Sequence, residues 1–390
     1  MTSLSDVIVV GGGLVGTSCA LALAQQSLQV SLIDSKSASV NDDLNRGWDN
    51  RIYAISPGNA AWLESLGVWD RVDRARICPI ENMQIWGDVA EKPLEFKSYE
   101  ANAKNLGYIV ENRQLELALW AALRSRGIEV LMAAECTSFR VGRDRATLEV
   151  ADGRCFKPKL AVAADGANSW LRSEAGIPVQ SHDYQQMGVV ANFETELAHQ
   201  QIARQWFRED GVLAWLPLPG KRISMVWSTS NDKARQLLQL DENALAIEVA
   251  EAGAHSLGKL KTITGAVAFP LAMQVAHHLV QPRLALVGDA AHQIHPLAGQ
   301  GVNLGFRDVM ALTATLAQRN VYQDIGDFVL LRQYERLRKT DMLAMRYLTH
   351  GLYTLFENDH AMIKKVRNWG LSLTNSQAGL KSYLMKRALA

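Results

Sequence analysis

The chain has no excess charge of either sign: 41 basic residues face 40 acidic ones over 390 positions, a formal charge of +1. A nucleic-acid partner calls for clustered positive charge, so this balance argues against one. Cysteine is scarce. Cys19, Cys78, Cys136 and Cys155 are irregularly spaced with no C-x-x-C pair, which argues against a disulfide scaffold and for a reduced, cytoplasmic setting. Long apolar runs are missing, with one exception: Val7 to Ala24 carries no charge. Neither a signal nor a membrane span suits it. Asp6 precedes it instead of a basic stretch, and Gly11, Gly12 and Gly13 would break a crossing helix in the middle. No internal repeat and no low-complexity tract appears.

What is present reads as two kinds of texture. Hydrophobic content of 48% over this length is enough to bury a core, in two domains or one with an insertion. Val7 to Val10 is a β-branched buried strand, Thr17 to Gln26 an Ala/Leu-rich helix, and Val30 to Ile33 a second strand ending at Asp34. That βαβ unit implies a parallel sheet. Ser35 to Asp49 reads as a polar loop, and helical patterning returns at Ala60 to Leu66 and Gln114 to Arg126. Further strands are expected at Glu129 to Met132, Leu160 to Ala164 and Leu284 to Val287, a long helix from about Gly301, and mostly helix over Phe328 to Leu389. Between Val189 and Phe269 the segments alternate and carry aromatics, as in Val212 to Leu218 and Ile223 to Ser228, which reads as a mixed or antiparallel sheet inserted into the first domain.

Gly11-x-Gly13-x-x-Gly16 lies between the first strand and the first helix, the context that makes the pattern a dinucleotide turn. Gly11 permits the tight turn, Gly13 the approach of a pyrophosphate, and Gly16 close packing of helix on strand. The helix N-terminus then offers free N–H groups and a favourable dipole to the phosphates. Asp34, 18 residues beyond Gly16, suits the hydroxyls of an adenosine ribose. This turn does not separate NAD from FAD; a purely structural glycine turn is the competing reading.

The third segment favours FAD. Leu284 to Val287 breaks at Gly288-Asp289, and the glycine-rich run Pro296 to Gly305 follows, with Gly299, Gln300, Gly301 and Asn303. FAD extends further than NAD at the flavin end, where Asp289 can accept from ribitol hydroxyls. A helix starting near Gly301 can stabilise the negative charge of a reduced flavin. A strand-turn-helix with a solvated aspartate is the alternative. Ala164-Asp165-Gly166 ends another buried strand, and Asp165 takes its functional meaning from the other two segments.

These three segments, in this order and spacing, resemble the flavoprotein aromatic hydroxylases of the p-hydroxybenzoate hydroxylase fold. Asp49 to Ser56, Leu66 to Asp70, Leu106 to Asn112, Gly288 to His292 and His295 to Gly305 further resemble the bacterial ubiquinone-biosynthesis hydroxylases, nearly end to end. The resemblance implies an α/β fold: a Rossmann-like FAD-binding domain with an inserted mixed β-sheet substrate domain and a C-terminal helical segment. The expected division is 1–70, 100–180 and 275–345 for the FAD domain, 71–99 and 181–274 for the substrate sheet, and 346–390 for the C-terminal helices. It also implies that Arg51, Arg113 and Gln114 lie near FAD, with surface salt bridging the competing reading for them. In the implied cycle NAD(P)H reduces FAD, a flavin C4a-hydroperoxide forms with dioxygen, and oxygen passes to an electron-rich phenol ring. The cofactor carries that chemistry, so no catalytic side chain is assigned.

Other residues admit two readings. His292 and His295 are spaced i, i+3, but no carboxylate or cysteine beside them completes a metal site; they either line the flavin pocket, with Pro296, or pack structurally. Trp206, Phe207, Trp215 and Trp227 either line a pocket for an apolar ring or form sheet core. After Asp359 no acidic residue occurs, while Lys364, Lys365, Arg367, Lys381, Lys386 and Arg387 interleave with apolar side chains. Such a segment contacts anionic lipid at the inner membrane, binds a partner protein of the pathway, or caps its own core. The substrate implied is a polyprenylated phenol or benzoquinol, with hydroxylation at C5 suggested by Ala164 to Arg172, Ile202 to Gln205 and Leu331 to Arg336. A monooxygenase of a small soluble aromatic acid and a non-catalytic flavoprotein scaffold are the alternatives.

Overall fold

The computed structural model describes residues 2–3, 5–37, 47–87, 93–293 and 301–340. Its centre is a six-stranded sheet in the order Val280–Gln281, Leu284–Leu286, Leu160–Ala163, Val7–Val10, Val30–Ile33, Glu129–Leu131. All neighbours run parallel except the edge strand Val280–Gln281. Val7–Val10, Val30–Ile33 and Leu160–Ala163 are buried at every position, as strands covered on both faces must be. Helix Leu14–Ala24 packs against helices Asn112–Ser125 and Gly301–Ala317 beside this sheet. Its apolar side chains, from Cys19 to Leu23, are fully or almost fully buried, which explains the uncharged run that mimics a membrane span.

Segments distant in sequence build the second layer. An eight-stranded sheet runs His292–Gln293, Leu260–Ala276, Val179–Thr195, Arg222–Ser230, Gly211–Leu218, Ile202–Arg208, Asn82–Trp86, Leu94–Lys97. It is antiparallel except where Ile202–Arg208 meets Asn82–Trp86, so it is mixed as expected. Helices Asn231–Gln239 and Glu242–Ala252 contribute Ala234, Leu237, Leu245 and Val249 to a core shared with Val189, Phe193, Leu213 and Met225 of the sheet. Asp241 and Ser230 cap these helices by accepting from Ala244 N–H and Lys233 N–H.

Two small sheets were not anticipated. Ile52–Ile55, Gly107–Glu111 and Cys78–Ile80 form an antiparallel three-stranded sheet whose residues pack with Ala203 and Leu218 of the large sheet. Cys136–Val141, Ala146–Val150 and Cys155–Phe156 form most of the other. Residues 328–340 are helical; the expected C-terminal helices over 346–390 lie outside the described residues. Among those described, no helix is long and apolar enough to cross a membrane.

Candidate functional site

Three turns leave the same edge of the parallel sheet. Val7–Val10, Leu160–Ala163 and Leu284–Leu286 are neighbours in register, with Ala163 opposite both Val10 and Leu286. Their C-terminal ends therefore deliver Gly11, Asp165 and Gly288 side by side, the edge where open parallel sheets bind ligands.

The first turn is fixed by close backbone contact. Gly11 has φ +109°, and a Cβ there would strike the Ala164 carbonyl. A Cβ on Gly16 would strike the Gly11 carbonyl, so helix and turn touch backbone to backbone. Gly13 differs: its backbone is extended and a Cβ would meet no protein atom within 4 Å. The space beside Gly13 is open to a ligand, whereas Gly11 and Gly16 are structurally required. Gly12 N–H donates to Asp34 Oδ2 at 2.8 Å and Lys36 N–H to Asp34 Oδ1 at 2.8 Å. Asp34 thus braces the glycine turn, and each of its oxygens retains a lone pair.

Asp165 works mainly within its own turn. Ser169 Oγ donates to its Oδ1 and Leu171 N–H to its Oδ2 at 3.0 Å, which starts the short helix Trp170–Glu174. Buried Arg172 joins this turn to the next, donating to Ala167 O at 2.8 Å and Ala290 O at 3.0 Å.

The Gly288 turn rests on a buried ionic cluster. Gly288 takes φ +61° and faces Val15 of helix Leu14–Ala24 and Gly305 of helix Gly301–Ala317. Its N–H donates to Asp308 Oδ2 at 2.9 Å. His292 Nε2 lies 2.7 Å from the same oxygen, and Arg338 Nε donates to Oδ1 at 2.7 Å. Asp308 has no solvent exposure, and burial alone would raise its carboxyl; His292 and Arg338 outweigh that and hold it below the usual range. His292 is therefore a packed, paired histidine. No group of residues suited to a metal ion occurs among the described residues.

Asp289 is the contrasting carboxylate. It presents open surface, yet sits in a recess crowded by protein, so desolvation raises its carboxyl above the usual range despite attraction from His292 and Arg51. Among the described residues no group donates a hydrogen bond to it. Tyr53 lies in the same neighbourhood, its phenol pushed up to about 12 by burial against a pull from Arg51.

Arg51 and Arg113 are set by one loop. Asp49 accepts from Arg51 N–H at 2.9 Å and from Arg113 N–H at 3.2 Å, and Asp49 N–H donates to Glu111 Oε1 at 2.7 Å. Buried Glu111 also takes a two-pronged bond from Arg76 at 2.6 and 2.7 Å. The Arg51 guanidinium faces Tyr53 and attracts Asp289, while Arg113 donates to Gly47 O at 2.6 Å. Gln114 is buried in the first turn of its helix. Asn303 is 1% exposed and its amide is spent on protein: it accepts from Ser56 N–H and Asn59 Nδ2 and donates to Ala54 O at 2.7 Å. It can meet a ligand through its backbone. Gly301 is the first described residue of helix Gly301–Ala317; Gly299, Gln300, His295 and Pro296 lie outside the described residues.

The three tryptophans fall to sheet core. Trp206, Trp215 and Trp227 belong to the cluster beneath the two helices, with Trp206 stacked on Trp86 at 4.9 Å. Phe207 is on the opposite face, since it pairs with Val212 while its neighbour Trp206 pairs with Leu213. Sequence reasoning missed Asp308, Arg338, Glu111 and Arg76, whose partners are remote along the chain.

The open space at Gly13, and Asp289 with no hydrogen-bond donor among the described residues, fit a flavin dinucleotide. Residues 4–345 match the FAD binding domain family, so the chain belongs to that family, and its cofactor is FAD with NAD(P)H as co-substrate. Within it, the chain is 36% identical over 388 residues to the 3-demethoxyubiquinol 3-hydroxylase of Escherichia coli, covering 99% of this chain and 98% of that one. It is 35% identical over 388 residues to the ubiquinone hydroxylase UbiL of Rhodospirillum rubrum, covering 99% and 90%. The crystal structure of p-nitrophenol 4-monooxygenase PnpA from Pseudomonas putida DLL-E4 superposes with a TM-score of 0.79 at 17% identity, over 100% of this chain and 99% of that one, a likeness of fold.

Proposed function

We propose that this protein is an FAD-dependent monooxygenase that hydroxylates the aromatic ring of a polyprenylated phenol or benzoquinol in ubiquinone biosynthesis, at C5. The observation that carries the reading is the alignment of three turns on one sheet edge in a chain similar over nearly its whole length to ubiquinone hydroxylases. FAD supplies the redox chemistry, taking electrons from NAD(P)H and activating dioxygen. The protein supplies binding, orientation and dryness. In this reading Gly13 admits the pyrophosphate to a turn that Gly11 and Gly16 shape, Asp34 holds the adenosine ribose, and Asp289 the ribitol. Arg51, Arg113, Gln114, Asp165 and Gly288 shape the surrounding wall, and Gly301 and Asn303 offer N–H groups of the first helical turn to the flavin ring; Gly299 and Gln300, outside the described residues, are proposed as cofactor contacts from the sequence alone.

The substrate ring is placed on the face of the large sheet turned away from its two helices. That face carries small and apolar side chains in register: Gly188 with Ser228 and Phe269, and Val190 with Val226 and Val267. Val267 and Phe269 are exposed at 46% and 41%, an apolar margin suited to a prenyl chain. The test is quinone-intermediate profiling in a strain lacking the protein. Accumulation of a prenylated intermediate without the C5 hydroxyl, cleared on re-expression, supports the assignment. An unchanged ubiquinone pool sinks it and returns the soluble aromatic acid to first place.

The site of action follows from the substrate: cytoplasmic, peripheral at the inner membrane, with room for other ubiquinone-biosynthesis proteins as partners. The six basic residues after Asp359 carry that part of the proposal. Each surface-proximal Lys or Arg near anionic lipid contributes about 1 kcal/mol, and salt screens it. Indifference to anionic vesicles at low salt would leave the tail a packing or partner-binding element.

A further inference from the structure

We propose that Asp308 is a positioning residue for the cofactor site: it fixes the Gly288–Asp289 turn so that the Asp289 carboxylate stays in its recess near Arg51. The inference rests on the reading of Asp289 as the ribitol acceptor. Asp289 has no hydrogen-bond donor among the described residues, so its place depends on the backbone that carries it. That backbone begins at Gly288, in a left-handed conformation, and continues as the single 3-10 turn Gly288–Ala290. Gly288 N–H is the amide held by Asp308 at 2.9 Å.

The cluster is more than a stabilising pair. A buried carboxylate paired with arginine is weak support for stability, because desolvation offsets much of the attraction. Here one carboxylate gathers three segments: the turn through Gly288, the following strand through His292, and the helix at 328–340 through Arg338. Both Oδ2 contacts are to the turn and its continuation, while Arg338 occupies Oδ1. Arg338 balances the charge, and Oδ2 sets the turn. Val15 and Gly305 close the other side, leaving Gly288 little freedom to re-form elsewhere.

Two quantities separate positioning from plain stability: the FAD dissociation constant of the apoprotein and its thermal midpoint. Asp308→Leu combined with Arg338→Met removes the acceptor together with the cation it would orphan. FAD binding should weaken about tenfold or more. Asp308→Asn keeps an acceptor for Gly288 N–H; its midpoint should fall, yet its FAD affinity should stay within about threefold of wild type. Arg338→Met alone should likewise lose stability and keep its FAD affinity, and it serves if the double variant does not fold. Wild-type affinity in a folded double variant, or affinity that falls in step with stability in Asp308→Asn and Arg338→Met, overturns the proposal. Asp289→Ala is the control. If it too binds FAD normally, the ribitol reading fails; if it alone loses FAD, only the positioning role fails.

Discussion

The two glycine turns that flank the Asp165 turn at one end of the parallel sheet are held by different physics. The turn at Gly11 is held by exclusion: glycine hydrogens fill spaces where any Cβ would strike the Ala164 or Gly11 carbonyl, and its bracing carboxylate, Asp34, stands half-exposed. The turn at Gly288 is held by charge: Asp308, His292 and Arg338 are all buried beneath it. The first is rigid by sterics and cannot be repacked by a side-chain rotation. The second depends on a polar network in which each member leaves the others unsatisfied if removed. On the reading proposed above, the first turn meets a pyrophosphate with bare backbone and the second aims one carboxylate at a ribitol.

The largest expected effect breaks the first turn itself. Gly16→Val drives a side chain into the Gly11 carbonyl, and the fold should lose about 3 kcal/mol or more, seen as insoluble protein or a collapsed thermal midpoint. Gly13→Val, three residues away, should do something different. Its extended backbone accepts valine and its Cβ meets open space, so the apoprotein should unfold within about 1 kcal/mol of wild type. FAD affinity should nonetheless drop at least about 100-fold, read as lost flavin absorbance in folded protein. Flavin retained by Gly13→Val would remove the pyrophosphate from this turn. A folded, stable Gly16→Val would show that exclusion does not hold it.

The same contrast explains what could be read from the sequence. The first turn is local: strand, three glycines and Asp34 lie within one βαβ unit, so spacing alone gave its geometry. Gly288 and Asp289 were visible as a strand break, but the Gly288–Asp308 bond spans 20 residues and the Asp308–Arg338 bond 30, with nothing periodic to link them. Glu111 and Arg76 escaped for the same reason, 35 residues apart. The tryptophans show another limit. Alternation puts Trp206 on one face of its strand and Phe207 on the other, but does not say which face the helices cover. Trp206, Trp215 and Trp227 prove to be core, whereas Phe207 lies on the other face. The strands at 52–55 and 107–111 were seen as motif segments and not as a sheet, because four or five residues carry too little periodicity.

The smallest expected effect separates the two neighbouring aspartates by pH. Asp308, depressed by His292 and Arg338, contributes stability that is present above its unfolded pKa and lost as pH falls through its folded one. Asp289 has the opposite sign: desolvation raises its carboxyl, so ionising it costs the apoprotein stability as pH rises through the ordinary carboxylate range and into the raised one. A ribitol hydroxyl donates to the ionised form and pulls that pKa back down. Binding then releases a proton wherever the apoprotein carboxyl is protonated, and FAD affinity must rise with pH there, by up to about tenfold per pH unit. At higher pH the carboxylate is already ionised and the affinity levels off. Measuring FAD dissociation constants from about pH 4, the ordinary carboxylate range, up to about pH 8 should show that rise at the acid end. Asp289→Asn, which cannot ionise, should bind more weakly at the plateau and lose the slope. The apoprotein's thermal midpoint gives the counterpart, because Asp308 should still fail at acid pH in the Asp289→Asn variant. If wild type and Asp289→Asn share one pH profile for FAD, the open carboxylate does not meet the cofactor, and the ribitol reading of Asp289 fails.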